Sequence, residues 1–187
     1  MFRWHSARVR IVGGTYGGRV LRAPPGRGTR PTSEKVREAM FNILGDVSDL
    51  QVLDLFGGSG ALGIEALSRG AAHVTFVDAD KTALKILKHN LTELALADRA
   101  TVVAQDAVIA ARRQTTAFGL VFVDPPYASD LASRAVLALP PDALAPGARV
   151  VIEHDRRNAP PDALGSLLRT DQRRYGDTML SFYEVPQ

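Results

Sequence analysis

Between residues 52 and 153, short apolar runs alternate with stretches in which apolar residues recur every three or four positions. The runs Val52–Phe56, His73–Asp78, Thr101–Gln105, Leu120–Asp124 and Arg149–Glu153 predict strands, and Ala61–Arg69, Lys81–Ala95, Ala107–Arg113 and the region Leu131–Leu139 predict helices. In Lys81–Ala95, the residues Leu84, Leu87, Leu91 and Leu94 form one apolar stripe, expected to face the core. Strict strand–helix alternation implies a doubly wound α/β fold, a parallel sheet covered on both faces. Upstream, a helix is expected over Glu34–Leu44, capped near Ser33, with Val36, Ala39, Met40, Ile43 and Leu44 on its buried face. Two further hairpins complete the pattern. One places short strands at Ile11-Val12-Gly13-Gly14 and Gly17–Leu21; the other joins Leu167–Tyr175 to Thr178–Val185 through Gly176-Asp177.

Composition narrows this picture. With 187 residues, 45% of them apolar, the chain can bury one substantial core. The expected organisation is a basic arm and β-hairpin over residues 1–30 followed by one domain over 31–187. No apolar run is long enough to cross a membrane, and the first residues lack the apolar core of a signal peptide, so a cytoplasmic protein is expected; no long exposed apolar stripe calls for a partner subunit, so a monomer is expected. Zero cysteines exclude thiolate nucleophiles, thiolate zinc sites and cysteine-held iron–sulfur clusters. Charge is unevenly spread. Seven arginines and no acid precede Glu34, whereas the remainder carries 16 basic and 20 acidic side chains. A basic arm on a mildly acidic body suits a protein that grips phosphates.

Candidate chemistry sits at the predicted strand ends. The run from Val52 enters Phe56-Gly57-Gly58-Ser59-Gly60 and then a helix; Gly58, Gly60 and Gly63 satisfy G-x-G-x-x-G, with Asp78 twenty residues past Gly58. That is also the dinucleotide fingerprint, so a nicotinamide oxidoreductase is one reading. Two acids favour S-adenosylmethionine instead. Asp54, inside the strand, suits the ammonium of a methionine moiety and is unhelpful beside a pyrophosphate; Asp106, at another strand end, suits an adenine amine. Asp78 suits ribose hydroxyls, with Asp80 a weaker candidate. At the end of the fourth strand, Asp124-Pro125-Pro126-Tyr127 forms a stiff turn whose carboxylate and Pro125 carbonyl can accept hydrogen bonds from a planar nitrogen, with Tyr127 as a stacking face. This combination implies methyl transfer to a nucleobase or amide nitrogen. Glu153-His154-Asp155 alternates across a strand, so no metal site is expected there. A non-catalytic RNA-binding protein is a third reading, in which the arm matters and the strand-end acids do not.

Over nearly its whole length the chain resembles the RsmD-type family, bacterial methyltransferases of guanine N2 in 16S ribosomal RNA. The resemblance rests on Arg10–Gly14, Arg30–Glu38, Asp54–Gly70, Asp124–Tyr127 and Tyr175–Thr178. Asp-Pro-Pro-Tyr by itself is shared with adenine-N6 and glutamine-amide methyltransferases. The resemblance implies the seven-stranded, Rossmann-like class I methyltransferase sheet. It also implies a donor site of Arg30, Thr32, Asp54, Phe56, Gly57, Gly58, Ser59, Gly60, Asp78 and Asp106, with Asp124, Pro125, Pro126 and Tyr127 around the target base. Phe56 stands where many methyltransferases of the wider class carry glycine. The implied substrate is small-subunit ribosomal RNA, in a protein-bound assembly particle, contacted by the basic arm.

Overall fold

The computed structural model describes residues 8–24, 34–126 and 130–186. The first strands, β1 (Arg8–Arg10) and β2 (Val20–Arg22), pair antiparallel as a separate hairpin, followed by α1 (Glu34–Leu44). Then come β3 (Gln51–Leu55), α2 (Ala61–Ser68), β4 (His73–Asp78), α3 (Lys81–Glu93), β5 (Ala100–Ala104), α4 (Ala107–Ala111), β6 (Phe118–Val123) and α5 (Leu131–Leu137). The chain closes with β7 (Leu144–Asp155), β8 (Ala163–Leu164), β9 (Leu167–Tyr175) and β10 (Thr178–Glu184). One sheet holds β3 to β10 in the order β5-β4-β3-β6-β7-β10-β9-β8. The first five are parallel, while β10 runs antiparallel to both β7 and β9.

Each face of the sheet has its own core, which explains why the central strands read as unbroken apolar runs. Val52, Leu120, Phe122 and Val151 pack with α1, α2, α3 and the hairpin residues Val9, Ile11 and Leu21. On the other face, Leu53, Leu55, Val121, Val123, Val150 and Ile152 pack with α4 and α5. The α3 stripe of Leu84, Leu87, Leu91 and Leu94 is buried as expected.

Four details differ from the sequence reading. The sheet has eight strands, because the two-residue β8 adds itself beside β9 through Leu164 opposite Leu167, too short to leave a periodic signal. Strand β7 begins at Leu144, five residues before the expected start, and absorbs Gly147 at φ 69° within it. In the N-terminal hairpin the paired strands lie outside the glycines. Gly13 and Gly14 form the loop, which lies so close to α2 that a Cβ on Gly14, at φ 75°, would sit 1.9 Å from the Ser68 carbonyl oxygen. Helix α1 is rotated from the expected face: Arg37 and Phe41 are buried, and Ile43 is exposed. A buried carboxylate accounts for the rotation, since Glu65, fully buried on α2, lies 3.5 Å from the Arg37 guanidinium.

Candidate functional site

The glycine turn between β3 and α2 forms the floor of a cleft of about 1180 Å³ at the carboxyl end of the parallel strands. Backbone hydrogen bonds hold it. Gly57 N–H donates to the Val77 carbonyl at 2.9 Å, Gly60 N–H to Gly57 at 2.7 Å, and Gly58 N–H to Asp78 Oδ2 at 2.8 Å. The turn opens with Phe56 at φ 66°, a left-handed conformation that costs a residue with a Cβ roughly 1 kcal/mol or more, which gives a physical reason for glycine at this position. Gly60 is the N-terminal cap of α2 at φ 90°, and a Cβ there would meet Leu87 Cδ1 at 2.4 Å. Because that cap has no side chain, the strand supplies one: Asp54 Oδ2 accepts the Gly63 N–H at 3.0 Å.

The acids expected at successive strand ends all line this cleft. Asp54 is buried, which pushes its pKa up to about 7; the Gly63 N–H opposes the rise and the Asp78 carboxyl adds to it. Asp78, ending β4, accepts Gly58 N–H on one oxygen and Asp80 N–H on the other, at 2.8 and 2.7 Å. Both carboxylate oxygens keep a lone pair for a further donor. Asp80 caps α3 by accepting Thr82 N–H at 2.8 Å, a structural use that agrees with its weaker candidacy. Asp106 caps α4 through one oxygen, which takes Val108 and Ile109 N–H at 2.9 and 3.0 Å; its other oxygen has no protein partner among the described residues.

Asp124, Pro125 and Pro126 follow β6 directly and line the same cleft. Val123 pairs with Ile152 across the parallel strands β6 and β7, so Asp124, just past the end of β6, stands beside Glu153 near the end of β7. By strand alternation both continue the face of Phe122 and Val151, the face that also carries Asp54. Burial first, then the Glu153 and Asp54 carboxyls, raise the Asp124 pKa well above the ordinary carboxylate range. Glu153 was expected only as part of a dismissed metal triad. Near the end of β7, which runs on to Asp155, it sits level with Asp124 on the neighbouring strand and lines the same cleft. His154 alternates to the opposite face and bonds Ser181 Oγ through Nε2 at 2.8 Å. Arg30, Thr32 and Tyr127 lie outside the described residues.

Two buried polar groups escaped sequence reading. Glu65 accepts Val12 and Gly13 N–H, both at 2.8 Å, and pairs with Arg69 at 2.8 Å, so one carboxylate pins the hairpin loop to α2. Arg37, paired with the same carboxylate, also donates to the Arg10 carbonyl. Asn90 on α3 accepts Arg22 N–H and donates to the Arg22 and Ser59 carbonyls, all at 3.0 Å, joining β2 to the glycine turn. In the sequence both are single polar residues inside helices, with nothing to separate them from solvated ones.

A glycine turn and a proline turn brought to one cleft of a doubly wound sheet, with the antiparallel β10 inserted beside β7, define the class: a methyltransferase of the Rossmann-like kind. Solved structures agree, among them "Putative methyltransferase yhhF" of Escherichia coli, with TM-score 0.86 at 33% identity over 97% of this chain and 99% of that one. Residues 9–184 match the family model described as "Conserved hypothetical protein 95", and the chain belongs to that family, the RsmD family. Its relatives include "Putative rRNA methyltransferase YlbH" of Bacillus subtilis, 41% identical over 94% of this chain and 98% of the relative. "Ribosomal RNA small subunit methyltransferase D" of Escherichia coli is 40% identical over 83% of this chain and 79% of the relative.

Proposed function

We propose that the chain transfers a methyl group from S-adenosylmethionine to the exocyclic N2 of a guanine in the 16S ribosomal RNA of the small subunit. The observation that carries this reading is the placement of Asp124-Pro125-Pro126 and the glycine turn in one cleft, at the ends of adjacent strands β6 and β3. The names of the relatives supply the substrate class, ribosomal RNA.

The residues present fit the donor. The free oxygen of Asp106 suits the adenine amine, the spare lone pairs of Asp78 suit the ribose hydroxyls, and Asp54 suits the ammonium group. Gly57 to Gly60 let the backbone approach closely, and Arg30 and Thr32 close the donor site in this reading. When bound, S-adenosylmethionine supplies a methyl group already activated by its sulfonium, so the protein needs positioning and electrostatics more than a strong base. Orienting the two reactants is worth roughly 7–11 kcal/mol. Asp124 and the Pro125 carbonyl accept hydrogen bonds from the guanine amine, draw its lone pair out of conjugation and stabilise the positive charge that develops on N2. Transfer forms the N2–carbon bond and breaks the carbon–sulfur bond, with S-adenosylhomocysteine leaving. The surplus proton passes from N2 to the ionised Asp124 carboxylate, whose raised pKa suits it to accept, and on to solvent. Tyr127 stacks on the base, a contact worth about 1–3 kcal/mol.

Single-turnover transfer of labelled methyl to small-subunit RNA tests this assignment. A charge-assisted hydrogen bond contributes about 1.5–3 kcal/mol, so Asp124→Ala should slow transfer by about 10- to 150-fold and leave donor affinity, read by calorimetry, unchanged. Transfer by this variant near the wild-type rate would overturn the role given to Asp124.

A further inference from the structure

We infer that Arg157 is the phosphate contact that seats the RNA strand on the acceptor side of the cleft, an inference that rests on the function proposed above. Among the described residues, nine carboxyl side chains line the cleft against two arginines, Arg37 and Arg157. A polyanion cannot settle over such a lining unless a cation meets its backbone where the target base enters. Arg37 cannot serve, being buried and paired with Glu65. Arg157 is exposed; it feels the charge of Asp155 but no salt bridge within 4.0 Å holds it among the described residues.

Its backbone is held for the task. After β7, Asp155 Oδ1 accepts the Arg157 N–H at 2.7 Å and the Asn158 N–H at 3.0 Å, and the Asn158 side-chain amide donates to both oxygens of Asp155 at 2.9 and 3.0 Å. These bonds fix the turn and occupy the carboxylate nearest in sequence, leaving the guanidinium available to a ligand. Asp155 pairs with Thr178 across β7 and β10, which keeps this turn beside Asp177 and Thr178 on the cleft wall. Glu153, two residues earlier on β7, borders Asp124. Arg157 therefore stands on the acceptor rim, where a planar guanidinium can bind a phosphate oxygen pair next to a base turned into the cleft. The basic hairpin contributes a second grip, distant in sequence. Neighbouring Arg156 is also exposed but does not line the cleft, which makes it the matched control.

Methyl transfer to small subunits from cells lacking this gene, measured over a range of salt for wild type, Arg157→Ala, Arg157→Lys and Arg156→Ala, tests the inference. Arg157→Ala should raise KM for RNA roughly tenfold with kcat and donor affinity unchanged, and flatten the slope of log KM against log salt by about 0.7–0.9, one phosphate's worth. Arg157→Lys should recover the slope, and Arg156→Ala should stay within about twofold of wild type. An unchanged KM and slope in Arg157→Ala, or equal effects of the two alanine variants, would overturn the inference while wild-type turnover left the proposed function standing. Absence of wild-type transfer to RNA would overturn both.

Discussion

Asp54 shows how one side chain joins fold and chemistry. It caps α2 from a neighbouring strand, and burial raises its pKa to about 7. An acid with a raised pKa in the folded state keeps its proton where the unfolded chain has lost it. Its contribution is therefore most favourable below the unfolded value near 4 and is lost as pH rises toward 7. That amounts to at most on the order of 4 kcal/mol across this window. Asp124 shifts in the same direction. Asp46 and Asp155, held below the ordinary range by hydrogen bonds from Ser48 and Asn158, lose their contributions only at pH below that window. Thermal unfolding should thus show the free protein to be more stable at pH 5 than at pH 8, with His154, whose pKa burial lowers, opposing part of the trend below about pH 6.5. Asp54→Asn retains an acceptor for Gly63 N–H, so it should reduce this pH dependence while weakening donor binding about tenfold or more. Calorimetry near pH 6.5 in buffers of different ionisation enthalpy should detect a proton released by wild type on donor binding. No release, with unaltered affinity in Asp54→Asn, would remove Asp54 from the ammonium site.

Between elements, the close approach of α2 to the sheet and to the hairpin is the critical packing. A Cβ on Gly63 would lie 2.3 Å from Phe76 Cε1 and 2.8 Å from Val74 Cγ1, so Gly63→Ala should push α2 off β4 and destabilise by about 1–3 kcal/mol in urea unfolding. Glu65→Gln strips two arginines of their buried counter-charge and should cost about 3–5 kcal/mol in the same experiment. If the Glu65 variant unfolds at the wild-type midpoint, the hairpin is not anchored there. Much of this level was legible in the sequence. The period of apolar residues placed the five parallel strands, the α3 stripe and the C-terminal hairpin, because burial on two faces or one leaves a regular trace. Tertiary contact decided the rest. The face of α1 follows from the Arg37–Glu65 pair, and the pairing in the N-terminal hairpin from where Gly13 and Gly14 meet α2. Neither partner is predictable from local spacing.

For the molecule as a whole, the arrangement of the site follows from topology. Parallel strands bring Asp54, inside β3, and Asp78, Asp106 and Asp124, at or just past the ends of β4, β5 and β6, into one cleft although 70 residues of chain separate the first from the last, and the sequence singled out all four as candidates. Glu153, beside Asp124 on the next strand, was weighed only together with His154 and Asp155 as a metal cluster and set aside with it. Asn90 links two parts of the fold: its hydrogen bonds connect the hairpin strand β2 at Arg22 with the turn at Ser59. Asn90→Leu should accordingly raise KM for both donor and RNA, whereas a loss confined to one of them would limit its role to that side. The described residues contain no helix long and apolar enough to cross a membrane.

The most direct test of the proposed reaction is to incubate wild-type protein and labelled S-adenosylmethionine with small subunits from cells lacking this gene, then digest the RNA to nucleosides. Label should appear in N2-methylguanosine, at one residue per particle. Label in another nucleoside, or none despite donor binding, would contradict the assignment of guanine N2 as the acceptor.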